Sequence, residues 1–512
     1  MGVDLGPAVP HPPACCSGPA PCLGRGLGRG LGLAVVVSAC GPVETGRDAW
    51  LRHTLVLDNQ DLLERDPDLT AGKFAKMSES PFAFLRGTAG QFARDVFEAG
   101  GAGLHRWGFV ESGPDDVALI GDAHPENIGS YRRGNDELTV DFDDFDAATY
   151  GPFEFDVRRL ALGFWVACEQ TGASLAASAG GPVSSPSCEA VAAAVPRGYA
   201  DELAALAADP QAATIVTEDA APGAILAALL ADAREDGDDG ESLAAYTRLD
   251  GDARIPFVGD VAPARLVAVG ARTQLVYEDS VRAVDAPALA RLRRLLAQSA
   301  ATRIDPRIAP GVVLGATLRY GAGVSSYPLM RWYVLVDGPS SQTHDDMLLE
   351  VKELRDAPVL PGARRPIDAP FDGNGPRVVG LQRELQGFVD DDPWLGFADE
   401  GAVAFRVREL TGYQKGFAVA DLAVALADGT WVADDVLAFA TISGRILGRS
   451  HARARRSSGS TAGAAIADAV GDGTLLVDLT TEFVLDYGPT VLDDHARLHE
   501  LLAAHGPTLG YR

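Results

Sequence analysis

Apolar and polar positions along the chain change period several times, and each change marks an element. Between residues 50 and 109 apolar side chains recur at helical spacing. Within KFAKMSESPFAFLRGTAGQFARDV, Ser80-Pro81 reads as a helix start, and Phe82, Leu85, Ala89 and Phe92 fall on one face, interrupted by Arg86-Gly87. Two short apolar runs follow, at 117–120 and 138–140, each reading as a strand. Residues 155–167 read as a buried helix, 171–188 as a flexible Gly/Ser/Ala-rich connector, and 189–300 as Ala/Leu-rich helices with acidic loops such as DAREDGDDGES. The period then shortens. Residues 312–338 carry β-type runs around Gly321-Ala322-Gly323-Val324-Ser325-Ser326, and MLLEVKEL (347–354) is a strand bearing Lys352. A short helix at 376–389, a strand at 402–410, an amphipathic helix at 437–456 and two helical pieces in the tail complete the chain. Helical and strand-rich blocks kept largely apart predict an α+β fold.

Composition narrows the function. The hydrophobic share of 47% and charged share of 22% are those of a globular chain, and 512 residues leave room for roughly two to four domains. A net charge of −27 argues against nucleic acid as a partner, since phosphate backbones repel such a surface, but permits a small nucleotide held through a metal. Of six cysteines, Cys15, Cys16, Cys22 and Cys40 lie in the leader. No CxxC pair has a partner pair, which excludes the usual structural zinc patterns. Cys168 and Cys188 flank the connector and are a possible disulfide in an exported protein. In the leader, residues 1–45, Arg25 and Arg29 precede an apolar run at 31–37 that ends in small residues. That is the order of a secretory signal, and the run is too short to span a bilayer. Val37-Ser38-Ala39-Cys40-Gly41 resembles the bacterial lipobox, which predicts an exported lipoprotein anchored through lipidated Cys40. The alternative is a disordered leader on a cytoplasmic protein.

The candidate chemistry gathers in residues 120–162, which hold Asp122, His124, Asn127, Asp141, Asp143, Asp144, Asp146 and Asp156. Asp122 directly follows the first apolar run and Asp141 the second. Acids at the ends of neighbouring strands suit a divalent cation or a proton in transit. A solvated acidic hairpin is the bland alternative, and the Phe and Ile content of the stretch argues against it. Asp122 and Asn127 form D-x-x-x-x-N, with Asp141 fourteen residues further on. Asp122 is the candidate base, Asn127 and Asp141 the candidate Mg²⁺ ligands, with Asp143 or Asp144 joining the metal shell. His124 would order the loop or take part in catalysis. Arg86 would hold a phosphate or one of the acids, and Asp156 would cap its helix or bond to the backbone of the catalytic loop. Later in the chain, Gly321, Gly323 and Ser325 followed by strand-borne Lys352 form a phosphate-handling pattern, because backbone N–H groups approach phosphates where Cβ atoms are absent and Lys supplies a point charge.

The Asp122–Asn127–Asp141 spacing resembles that of protein kinases, and GDAHPENI is more similar to the aminoglycoside phosphotransferase form HGDxHxxN, with Ile120 in place of its first His. The chain resembles more closely the bacterial family catalogued as domain of unknown function 2252, through SPFAFLRGTA, GDAHPENIG, VDFDDFDAATYGPFEFDVRRLAL, RYGAGVSS, LEVKEL, RVVGLQRELQ, FRVREL and GRILGRSHARA. That family is counted as kinase-like, so the resemblance implies a protein-kinase-like two-lobed fold with ATP and Mg²⁺ as cofactors. Here the Gly-rich hairpin and Lys352 follow the catalytic loop, where an ordinary kinase has them before it. The expectation is therefore a circular permutation with extra helices: catalytic-loop part 46–190, helical insertion 191–300, β-rich nucleotide lobe 301–430, and C-terminal helices 431–512. Asp143-Asp144-Phe145-Asp146-Ala147 departs from the family's usual Asn-Asp-Phe-Asp-Glu. Gly380 stands where an acidic residue is common, leaving Glu384 as the helix-borne partner for Lys352. The function so implied is phosphotransfer from ATP to an unknown small-molecule or protein hydroxyl. The alternatives are a nucleotide- or metal-binding pseudokinase, and a metal-dependent hydrolase using the Asp/His cluster alone.

Overall fold

Alternating β-branched and aromatic residues build one antiparallel sheet. Its strands lie in the spatial order Gly396–Glu400, Val403–Leu410, Met347–Leu354, Arg331–Val336, Val313–Tyr320, Ser280–Ala283. The register gives its two faces opposite characters. On one face Val351 lies opposite both Trp332 and Val407, and Leu292, Leu295 and Leu296 of the Ala286–Ser299 helix pack there with Phe405. On the other face Lys352 lies opposite Arg331 and Arg406, and Glu350 opposite Arg408. Glu350 is buried and takes Arg406 at 3.2 Å and Arg408 at 3.1 Å. A face this charged can be buried only against countercharges, and the acidic loop supplies them. In the chain, the helix Asn374–Leu385 comes between the Lys352 strand and the edge strand Gly396–Glu400.

The computed structural model describes residues 46–97, 114, 116–177, 187–238, 240–257, 264–269, 272–277, 280–303, 311–340, 342–358, 371–388, 392–456 and 458–511. The leader with Cys40, residues 98–109 of the predicted helical stretch and residues 178–186 of the predicted connector lie outside these. Residues 45–512 form one unit by their contacts. The overall class is mixed α+β.

The helical part rests on Glu154–Ala177, Cys188–Ala208, Ala433–Arg453 and Thr474–His505. Phe155, Leu160, Val195, Tyr199, Phe439, Ile446 and Phe483 meet in its core. Two glycines set its closest crossing. A Cβ on Gly198 would stand 2.0 Å from the Thr441 carbonyl, and one on Gly444 2.0 Å from that of Val195. Against these helices lie two short antiparallel pairs, Val117–Leu119 with Thr149–Gly151 and Ile128–Arg132 with Leu138–Phe142. The disulfide Cys168–Cys188 links the first two long helices. No helix among the described residues is long and apolar enough to cross a membrane.

Three expectations need correction. The helix predicted at 155–167 continues to Ala177, into the stretch read as connector, because Ala and Ser there keep helical propensity without an apolar stripe. The predicted helical insertion contains strands, including Thr247–Asp250, Ala253–Pro256 and Ser280–Ala283, and its last helix is the one that backs the sheet. Four-residue strands leave too short a pattern to stand out from Ala-rich surroundings. The tail forms one helix, Thr474–His505, straight through Gly488-Pro489. A Cβ on Gly488 would come 2.5 Å from the Trp165 ring, so the glycine serves a close approach there.

Candidate functional site

The site begins where the Val117–Leu119 strand ends. Gly121 turns the chain at φ +83°, and a Cβ there would lie 2.0 Å from the Ala147 carbonyl, so only glycine fits. The turn is held by Asp156, fully buried in the first turn of the Glu154–Ala177 helix. Its carboxylate accepts the backbone N–H of Ile120 at 2.6 Å and of Gly121 at 2.9 Å. This is the bond to the loop backbone expected from sequence. His451 Nε2 lies 3.1 Å from the same carboxylate, and His451 Nδ1 lies 3.0 Å from the Tyr199 hydroxyl, so two further buried groups brace the loop from the helical side.

Asp122 follows at the rim of a cavity of about 290 Å³, which His124, Asn127, Asp144 and Asp146 also line. Arg159, fully buried, donates from Nε to Asp122 Oδ1 at 2.9 Å and from Nη2 to the Leu85 carbonyl at 2.6 Å. Burial pushes the Asp122 carboxyl above its ordinary range, with Arg159 pulling the other way. Asn127 donates its side-chain amide to the Asp122 carbonyl at 2.8 Å, which fixes the loop and leaves its amide oxygen for other partners. His124 is buried beside the edge of Phe82. Its Nδ1 has no hydrogen-bond partner among the described residues. Burial and then Arg86 hold its pKa well below the ordinary imidazole value, so it is neutral. Arg86 itself pairs with Glu126.

The structure divides the predicted metal ligands. Asp144 and Asp146 reach the cavity, and both meet Lys352: its Nζ lies 3.3 Å from Asp144 Oδ2 and 2.5 Å from Asp146 Oδ2. Burial alone would raise the Asp144 carboxyl, but Lys352 and Arg406 hold it below the carboxylate range. Asp146 Oδ1 is buried with no hydrogen bond among the described residues and stands 3.7 Å from Arg406 Nη1. Asp141 is instead sequestered. Its Oδ2 takes the Gly387 N–H at 2.9 Å and pairs with Arg449 at 2.9 Å, and it does not line the cavity. Asp143 also turns away, toward Gly129 and the Arg408 side of the sheet, where burial pushes it up to about 6 against the pull of Arg408. Strand alternation explains the split, because Asp141 still belongs to the Leu138–Phe142 strand and must follow its inward face.

The nucleotide-half residues are also divided. Val324, Ser325 and Ser326 of the Gly-rich hairpin line the cavity. Gly321 and Gly323 shape the turn with φ of +80° and +72°, and their carbonyls accept from Lys76 at 3.2 and 3.4 Å, so neither glycine faces the cavity itself. The Ser325 hydroxyl donates to the Arg86 carbonyl at 2.6 Å. Glu384 does not face Lys352. It accepts the backbone N–H of Arg455, because it sits near the C-terminal end of its helix, away from the strand's cavity side.

Sequence reasoning missed the cavity residues Asp58, Lys73, Arg94 and Arg355, together with Arg159 behind Asp122. Charges spaced along amphipathic helices read as solvated faces, and nothing local marks these as buried. The one available signal was Arg159 itself, a charge abutting the apolar run Leu160–Ala167 of its helix.

Among the described residues no cluster of three or more His, Cys, Asp or Glu is arranged to hold a metal ion. The family described as "Uncharacterized protein conserved in bacteria (DUF2252)" matches residues 65–501. No curated protein and no solved structure matches the chain.

Proposed function

The chain belongs to that bacterial family, and we propose that it is a kinase-like phosphotransferase, circularly permuted, that moves a phosphoryl group from Mg²⁺-ATP to a hydroxyl of an unknown acceptor. One observation carries the reading: Lys352 bonds to Asp144, 208 residues earlier in the chain, and Asp144 shares one cavity with Asp122, Asn127 and the tip of the Gly-rich hairpin. The sheet supports it further, since the Gly-rich hairpin, the Lys strand, a helix and an edge pair follow one another as in the nucleotide lobe of a kinase.

Mg²⁺ takes one or two carboxylates and completes its shell with phosphate oxygens and water, so a three-acid cage is not required. Asn127, Asp144 and Asp146 fit that sparser demand, the last through its unsatisfied buried oxygen. Bound there, the ion would neutralise charge on the transferring group. Asp122 accepts the acceptor's proton as the acceptor oxygen bonds to the γ-phosphorus and the bond to ADP breaks. Arg159 keeps that carboxylate aimed, and Lys352 neutralises phosphate charge. The metal-dependent hydrolase reading needs the hairpin to lie apart from the acids, whereas both line one cavity.

Mg²⁺-dependent ATP binding by the full chain, compared with Asp144→Ala and Lys352→Ala, tests the proposal. Both variants should bind at least tenfold more weakly. Equal binding by all three proteins removes the reading.

Location is a separate proposal. The Cys168–Cys188 disulfide supports an oxidising compartment, as export through a lipidated Cys40 would provide. Cell fractionation of the wild type and Cys40→Ser decides it: release of the variant from the membrane is expected, and a soluble wild type refutes the anchor. Because ATP is scarce outside the cytoplasm, an exported location would call for a different phosphoryl donor at the same site.

A further inference from the structure

Phosphotransfer uses the acidic loop, the hairpin and Lys352, and leaves another part of the cavity lining without a task. This part comes from the helices Arg47–Asp58, Pro67–Met77 and Ala89–Phe97 and from the segment after the Lys352 strand, and it brings Asp58, Lys73, Arg94 and Arg355 to the cavity. Two of these cations have carboxylate partners: Arg94 donates to Asp58 Oδ2 at 2.7 Å and Arg355 to Asp61 Oδ1 at 2.8 Å. Lys73 differs. Only 3% exposed, it donates to Asn59 Oδ1 at 2.6 Å, a neutral amide, although an ammonium has three donors. A buried ammonium hydrogen-bonded to an amide is costly to keep. Its cost is offset when a ligand brings the countercharge into the cavity that Lys73 lines.

We propose that this part of the cavity is the acceptor site and that the acceptor is a small hydroxyl compound bearing an anionic group, held by Lys73 while its hydroxyl faces Asp122. The proposal rests on the phosphotransferase reading and names the substrate class of that site. The groups around Lys73 are Asp58, which ends the Arg47–Asp58 helix, Asn59 just after it, Asp61 of the short helix Gln60–Arg65, Asp122 of the loop and Arg355. Arg86, Arg94, His124, Asp144, Asp146 and Asp356 stand further round the cavity. Burial first, and Arg355 second, lower the Lys73 ammonium to about 7. It is therefore charged below that pH and loses its charge above it. Burial first, and Arg86 second, hold the His124 imidazole well below its ordinary value, which favours its neutral form.

Sulfate, whose charge is constant over that range, is the probe. It is titrated calorimetrically into the full chain with and without saturating Mg²⁺-ADP, at pH 6 and pH 8, for wild type, Lys73→Met and Lys73→Arg. Wild type should bind sulfate about tenfold more tightly at pH 6. Lys73→Met should lose at least tenfold in affinity together with the pH dependence, and Lys73→Arg should retain affinity without the pH dependence. Thermal unfolding of each variant shows that it is folded. Equal sulfate affinity in wild type and Lys73→Met, or no sulfate binding by wild type, overturns the acceptor-site proposal. Failure of wild type to bind Mg²⁺-ADP counts instead against the phosphotransferase reading, and the nucleotide-free titration still decides the anion site.

Discussion

Arg449 and Asp141 form a buried ion pair, Nη2 to Oδ2, at 2.9 Å. With the N–H groups of Phe142 and Gly387 also directed at this carboxylate, at 2.8 and 2.9 Å, Asp141 has a full set of protein partners and none to spare for a metal. Asp141→Asn should therefore cost stability, about 3–5 kcal/mol as for a broken buried pair, read from denaturant unfolding. Asp144→Asn should cost less stability and lose most Mg²⁺-nucleotide binding. The reverse pattern would return Asp141 to the metal shell.

Asp122 should be required for turnover without being required for folding. Asp122→Asn is expected to lower the phosphotransfer rate about 10²- to 10⁴-fold, the usual loss for a general base. The rate should rise with pH as Asp122 ionises, at a pH above the 3.8 of an unperturbed aspartate, because burial raises its pKa. Since Arg159 opposes that rise, Arg159→Gln should move the limb to still higher pH. A pH–rate profile in which this limb stays in place would separate the base from Asp122.

The loop that carries Asp122 depends on Asp156. Asp156→Ala removes the acceptor for the Ile120 and Gly121 amides, and each bond to a charged group is worth about 1.5–3 kcal/mol. Hydrogen exchange at those two amides should quicken by at least a hundredfold relative to the rest of the strand. Unchanged protection would mean that the turn is held by Gly121 geometry alone.

Lys73 predicts a stability gain. Its folded pKa lies below its unfolded value, so between about pH 7 and the ordinary 10.5 the unfolded chain holds a proton that the folded chain sheds. Stability should rise with pH across that window in wild type, and the penalty is complete below pH 7. Lys73→Met, of similar length and apolar, should be more stable by about 1–4 kcal/mol at neutral pH and should lose this slope. A destabilised variant would show that the Asn59 bond outweighs burial of the charge.

Much of this fold was legible because its signals are local. The strand at 347–354 and the helix at 437–456 follow from alternation and helical spacing, and the structure has Met347–Leu354 and Ala433–Arg453 there. The burial of the acidic stretch was legible because so many carboxylates cannot all be solvated among Phe and Ile. Which carboxylate faces the cavity was not legible. Asp141 and Asp144 differ only in where the strand stops, and that is settled by Arg449 and Lys352 arriving from hundreds of residues away. Lys73 and Arg94 were hidden for the same reason: their burial is a property of packing between distant segments, and a helix carries no mark of the partner that covers it.

The tie between Ser325 and Arg86, with Lys76 on the carbonyls of Gly321 and Gly323, couples two parts of the molecule that need different freedoms. A hairpin that folds over a triphosphate must lift for ADP to leave. Here each lift would strain three hydrogen bonds, two of them to Lys76 on the helix that also carries Lys73 and one to the Arg86 carbonyl. In the proposed phosphotransferase, donor exchange and acceptor exchange would therefore be mechanically linked, and departure of one product would loosen the seat of the other. Such a molecule would turn over in obligate order, with its slow step at the latch and not at the phosphorus.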